Sequence, residues 1–207
     1  MNAWDRLADG TTIQATVEAL AKNGMTTHVV PDAAAANAKV TEIIPRGAQV
    51  MTMTSMTLTA LGMTQHMNES GDYNSVRARY ATMDKEKDGD FLEMQRLGSA
   101  PEWVIGSVHA VTEDGKVVIA SNTGSQLAAY VYGASHVVWV VGAQKIVKNL
   151  DEAMKRIYEY VLPLESERAN KAYNTTTGSN VSKLLIVNKE VWPDRISIIL
   201  VKEKLGF

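Results

Sequence analysis

Residues 136–141 read His136-Val137-Val138-Trp139-Val140-Val141, followed by Gly142-Ala143-Gln144-Lys145. A strand that shows one face to water alternates apolar and polar residues. This one is apolar on both faces, as a strand covered from both sides must be. It is expected at the centre of a sheet, and its neighbours in the chain supply the covering layers. Downstream, Asn149 and Glu152 have the spacing of a capping box, with Asn in place of the usual Ser or Thr. Leu150, Met154, Ile157 and Val161 form the apolar stripe of the helix that follows, which Pro163 is expected to end. A second helical stretch, the polar loop Tyr173–Ser182 and two strands, Lys183–Val187 and Arg195–Val201, complete that half.

Upstream the same alternation holds. Ile13, Val17 and Leu20 recur at helical spacing, and Gly24 stands where a helix end takes a left-handed residue. Thr26–Val30 and Gln49–Thr52 read as strands. Between them lies a helix opened by Pro31-Asp32, with Ala36, Val40 and Ile43 inward and Pro45 and Gly47 as its stop. Leu58 and Leu61 face inward from a helix after Ser55. Residues 71–100 read as helical pieces crossing an edge, either a lid over a site or a surface excursion. Trp103–Ala120 is expected to be a hairpin, because apolar runs flank Thr112-Glu113-Asp114-Gly115. The prediction is a single α/β domain over 1–207: a mostly parallel sheet with helices on both faces.

Composition removes several function classes. With 21 basic and 23 acidic residues and a net charge of −2, the chain has no basic stripe for nucleic acid. The charge cluster Asp84–Asp90 alternates in sign and reads as a solvated loop or helix end. Cysteine is absent, so disulfides, thiolate nucleophiles and cysteine-held iron–sulfur clusters are excluded within this chain. His28, His66, His109 and His136 lack metal-site spacing, and no metal or cofactor is expected. His109 stands out only because it lies close to Glu113 in the chain. No apolar run reaches the ~20 residues of a membrane span, and Met1–Gly10 does not resemble a signal peptide; cytoplasm is the expected compartment.

In open α/β sheets ligands collect beyond the carboxyl ends of the strands. Three polar segments have that character. Ser55 and Thr57, with Thr54 before them, can hold an anion at a helix start or simply cap it. Asn122, Thr123, Gly124 and Ser125 can form an anion-binding nest or an ordinary cap. Gly142 to Lys145 follows the most apolar strand, where a lysine is either a point charge for a phosphate or carboxylate, or merely solvated. Glu113 is a fourth candidate, an acid–base or nucleophilic carboxylate or else part of a hairpin tip.

In order and spacing, several segments resemble the LUD (lactate-utilization, DUF162-type) domain. They are Asn23-Gly24, Ile44-Pro45-Arg46-Gly47, Ser55-Met56-Thr57-Leu58 with Gly62, and Ala110 to Gly115. They continue through Asn122 to Ser125, Val141 to Val147, Glu152-Ala153 with Arg156-Ile157, and Ile186 to Phe207. The resemblance implies a fold similar to ribose-5-phosphate isomerase, glucosamine-phosphate deaminase and the CoA transferases. It implies an anionic small ligand at the strand ends: a carboxylate, phosphosugar or CoA ester. LUD proteins include subunits of a bacterial L-lactate oxidation system in which partner chains hold iron–sulfur centres. This chain, without cysteines, would match the short cofactor-free member. Three functions follow as expectations: a ligand-binding protein of lactate or related carboxylate metabolism, a CoA-transferase-like or phosphosugar-acting enzyme using Glu113, and a non-catalytic subunit docking on iron–sulfur partners. A homo-oligomer is plausible for any of them.

Overall fold

The computed structural model describes residues 2–207, the side chain of Asp88 excepted. In chain order the elements are α1 (Gly10–Lys22), β1 (Thr26–Val30), α2 (Ala33–Ile43), β2 (Gln49–Thr52), α3 (Met56–Ala60), α4 (Met63–Glu69), β3 (Asn74–Ser75), α5 (Val76–Tyr80), α6 (Asp88–Ser99), β4 (Trp103–Gly106), β5 (Ala110–Thr112) and β6 (Val117–Ser121). They continue with a π turn (Ala129–Gly133), β7 (His136–Gly142), a 3-10 turn (Ala143–Lys145), β8 (Ile146–Val147), α7 (Leu150–Arg156), a π turn (Ile157–Val161), α8 (Leu162–Tyr173), β9 (Lys183–Val187) and β10 (Ile196–Val201).

Six strands form a fully parallel sheet in the order β1-β10-β7-β4-β2-β3. β7 lies inside it, between β10 and β4, and its alternate residues enter two separate cores. Val137, Trp139 and Val141 pack with α1 and the second sheet, while Val138 and Val140 pack under α2, α3 and α4. That is why the run is apolar on both faces.

Beside this sheet stands a smaller one, in the order β8-β5-β6-β9. β6 runs antiparallel to both β5 and β9, and β8 runs parallel to β5. Val111, Val117 and Ile119 face the main sheet, whereas Ala110, Val118 and Val147 pack with Ala153 of α7 and Ile157 of the π turn after it. One face of the parallel sheet is therefore covered by helices and the other by α1 together with this second sheet.

Four local expectations are corrected. The hairpin is confined to β5–β6. Trp103–Gly106 instead joins the parallel sheet beside β2 and β7, since a short apolar run fits either kind of ladder. Ile44, not Ile43, is the fully buried residue at the end of α2. In α7 the buried positions are Ala153 and Arg156 rather than Leu150 and Met154. Pro163 does not end that helix: a π turn over Ile157–Val161 carries the chain into α8, with the proline in its first turn. There its missing N–H and fixed φ are tolerated. Between residues 71 and 100 the chain forms a two-residue edge strand and two helices. Among the described residues no helix is long and apolar enough to cross a membrane.

Candidate functional site

Beyond the carboxyl ends of β2, β4 and β7 lies a cleft of about 440 Å³. Its walls come from Thr54–Thr57, Ser107–His109, Ala120–Ser121, Lys145, α8 and the loop after α8. Among the described residues none between 71 and 100 lines it.

Lys145 sits at its floor. The chain reaches it by leaving β7, making one 3-10 turn, and entering the second sheet at β8. The side chain is only 2 % exposed. Nζ donates to Thr57 Oγ1 at 3.0 Å, to Ser107 Oγ at 3.1 Å and to the Val108 carbonyl at 3.1 Å. Both hydroxyls direct their own protons elsewhere, Thr57 to the Leu205 carbonyl and Ser107 to that of Val140. All three partners are thus acceptors, and only an ammonium has three N–H groups to give them. Among the described residues no carboxylate lies within ion-pair distance of it. Burial, and then the nearby Arg156, press its pKa well below the ordinary amine value. A charge held by neutral oxygens alone is incompletely compensated.

Arg156 adds to the imbalance. Its residue is wholly buried, and burial lowers its pKa to about 10. Nη1 donates to the His109 carbonyl and the guanidinium lies 5.2 Å from the Tyr160 ring centre. Nε and Nη2 have no partner among the described residues. The nearby Asp5 carboxylate engages Tyr160 and Lys204 instead. His109, set into the cleft wall, accepts the Ala120 N–H at Nδ1, 3.0 Å away. Burial first, then Lys145 and Arg156, depress its pKa to about 3.

Ser55 both caps α3, accepting the Leu58 N–H at 3.3 Å, and lines the cleft. Asn122, Thr123 and Ser125 line it too, in a turn in which the Gly124 N–H donates to Ser121 Oγ and the Ser125 N–H to Thr123 Oγ1. Gly124 itself packs beneath Lys183, its φ of +87° suiting glycine. Gly142 does not line the cleft. A Cβ there would lie 2.8 Å from both Glu203 O and Leu205 N, so this glycine lets the C-terminal segment cross the strand ends.

Glu113 stands apart. It is exposed in the β5–β6 turn and absent from the cleft walls. Asn23 Nδ2 ties that turn to the end of α1 through the carbonyls of Asp114 and Gly115, at 3.1 and 2.9 Å. Of the two readings of Glu113 from the sequence, a site carboxylate or part of a hairpin tip, the structure places it in the tip, which packs against α1 away from the cleft walls.

Several wall residues escape sequence reading. Glu165 and Arg168 on α8 form a two-pronged ion pair at 2.6 and 2.7 Å. The loop after α8 is held over the cleft by Asn170 Oδ1 and Ser166 Oγ, which accept the N–H groups of Gly178 and Ser179. The loop's run of hydroxyls and amides was the available signal. Ser107 carried none, since it resembles any loop serine, and neither did Arg156, buried outside the cleft lining, which resembles a solvated helix face.

A family model described as the LUD domain matches residues 13–201. The chain is similar in structure to a DUF162 family protein from Deinococcus radiodurans, with a TM-score of 0.54 and 11 % identity over 95 % of this chain and 99 % of that one. It also aligns with ribose 5-phosphate isomerase from Plasmodium falciparum, with a TM-score of 0.40 and 11 % identity over 84 % of this chain and 94 % of that one. At such identity the first likeness speaks for the fold alone. No curated protein matches by sequence.

Proposed function

This chain belongs to the LUD-domain family, and on that premise we propose that it binds a small anionic molecule, a carboxylate of lactate or related metabolism, in the cleft at the strand ends. The observation that carries the reading is Lys145: a buried ammonium on the cleft floor, held by neutral oxygens and without a carboxylate. An incoming anion replaces the Ser107 or Thr57 hydroxyl as acceptor for one N–H. That exchanges a neutral bond for a charge-assisted one of roughly twice the strength. The Arg156 charge behind it favours the same ligand sign.

The test is a thermal-shift screen with L-lactate, pyruvate, sugar phosphates and CoA esters, run on the protein and on Lys145→Met. At 100 times its dissociation constant a ligand stabilises the native state by about 2.7 kcal/mol, which for this size moves the midpoint by roughly 5–11 °C. A shift with carboxylates that Lys145→Met abolishes supports the reading. A shift confined to phosphosugars or CoA esters replaces the substrate class. A shift that survives the substitution, or none at all, rejects the site.

A second reading, docking on iron–sulfur partner chains, is favoured by one surface. Tyr132 and Trp192 pair with ring centres 5.5 Å apart beside Val191, and these side chains are 73 %, 46 % and 74 % exposed. Exposed apolar patches of this kind mark interaction sites. Co-elution with candidate iron–sulfur proteins, lost on Trp192→Asp with Tyr132→Asp, checks it.

A further inference from the structure

We propose that His109 is a ligand-contacting residue that gives an uncharged N–H to an acceptor oxygen next to the ligand's anionic group, so that the cleft selects carbonyl- or hydroxyl-bearing carboxylates and rejects amino-bearing ones. The proposal rests on the anion site assigned to Lys145 and specifies what surrounds it.

The geometry carries the argument. Nδ1 of His109 is occupied as an acceptor by the Ala120 N–H, which places the ring proton on Nε2. Nε2 has no hydrogen-bond partner among the described residues, and the ring lines the cleft. The preceding residue, Val108, gives its carbonyl to Lys145, so the imidazole adjoins the anion site in the chain as well as in the cleft. Every charged group acting on the ring is a cation: Lys145 from the turn after β7 and Arg156 from α7. The other charged side chains lining the cleft among the described residues, Glu165 and Arg168, are matched to one another. The ring therefore stays neutral and remains a donor, the state in which an imidazole polarises a carbonyl without delivering a proton. A ligand amine at the same place would be an ammonium set against an N–H donor and the Lys145 charge, with the Arg156 charge buried behind them.

The experiment compares 2-oxobutyrate, 2-hydroxybutyrate and 2-aminobutyrate, which differ only at the second carbon, on the full chain and on His109→Asn. Asparagine keeps an acceptor for the Ala120 N–H and removes the Nε2 donor. Histidine ¹⁵N spectra of the ligand-free protein should show His109 with its proton on Nε2 and unprotonated on Nδ1 from pH 5 to 8. The oxo and hydroxy acids should bind at least about tenfold more tightly than the amino acid, and His109→Asn should weaken them by about tenfold, the size of one hydrogen bond. An imidazole that titrates within that range overturns the proposal. So does Lys145-dependent binding that neither moves the Nε2 signal nor responds to His109→Asn, and the anion site then survives alone. Absence of binding by all three acids and by inorganic phosphate overturns both.

Discussion

Lys145 Nζ lies 3.0 Å from Thr57 Oγ1, and this bond joins the end of β7 to the first turn of α3 across 88 residues of chain. Through Ser107 and Val108 the same nitrogen also holds the end of β4. One ammonium thus ties together the three segments that form the cleft floor.

Lys145→Met should therefore separate stability from binding. Methionine fills the same volume, and Thr57 and Ser107 keep the carbonyls to which they donate. Thr57 Oγ1, Ser107 Oγ and the Val108 carbonyl each lose the N–H they accepted, but only the carbonyl is left with no bond from its own group to fall back on, a loss of about 1–3 kcal/mol set against relief of a buried charge. Calorimetry should find the variant within about 2 kcal/mol of the parent, with anion binding weakened by more than tenfold.

His109 should leave a signature in acid. Its folded pKa, about 3, lies below the unfolded value near 6.5. Between those limits the unfolded chain holds a proton that the folded chain refuses, so stability falls as pH is lowered through this window. One proton corresponds to a slope of at most about 1.4 kcal/mol per pH unit. Asp5, Asp114 and Glu190, whose carboxyls are held below their usual range, add their losses only below about pH 4.5. His28, lowered by burial, acts in the same window as His109. The readout is thus the difference between the parent and His109→Asn in urea titrations from pH 6.5 to 4.5, and the variant's curve should be the flatter.

Glu113→Ala should change stability by no more than about 0.5 kcal/mol, as expected for an exposed side chain with no partner among the described residues. Ligand affinity should be unchanged. A loss of affinity measured by calorimetric titration would return the β5–β6 turn to the site.

Gly142→Ala should destabilise by about 1–3 kcal/mol, the usual result of adding atoms to a closely packed place. The new Cβ meets the backbone of Glu203 and Leu205. Gln144, whose Nε2 donates to the Leu205 carbonyl at 3.0 Å, shares that contact. The displaced segment is the one that receives the Thr57 proton, so anion affinity should fall as well, read in the same titration.

Glu190→Gln should destabilise by about 3 kcal/mol, because it leaves the buried Arg195 guanidinium without its charge partner 2.8 Å away. Arg195 also donates to the carbonyls of Ala129, Tyr130 and Ala134, closing the π turn before β7. Denaturant unfolding followed at the tryptophans measures it.

Much of this arrangement is written in the chain. Thr26–Val30, Gln49–Thr52 and Lys183–Val187 fold over the residues their pattern predicts, and Asp32, Ser55 and Asn149 cap the helices they precede. These are short-range effects, in which a few neighbouring residues decide the backbone. Double-sided apolarity likewise marks β7 as an inner strand.

What only the tertiary structure decided is where such elements meet. Trp103–Gly106 and Lys183–Val187 are both short apolar strands, yet one enters the parallel sheet and the other the antiparallel edge of the second. In sequence Lys145 reads either as a site cation or as merely solvated, Arg156 resembles a surface cation, and Glu113 reads either as a site carboxylate or as a hairpin tip. Burial of the first two and exclusion of the third follow from the packing of β8 and α7 on the second sheet and of the hairpin tip on α1. Local pattern sets backbone conformation through neighbouring sterics and hydrogen bonds. The charge state and access of a side chain depend on residues dozens of positions away, and those meet only when the cores close.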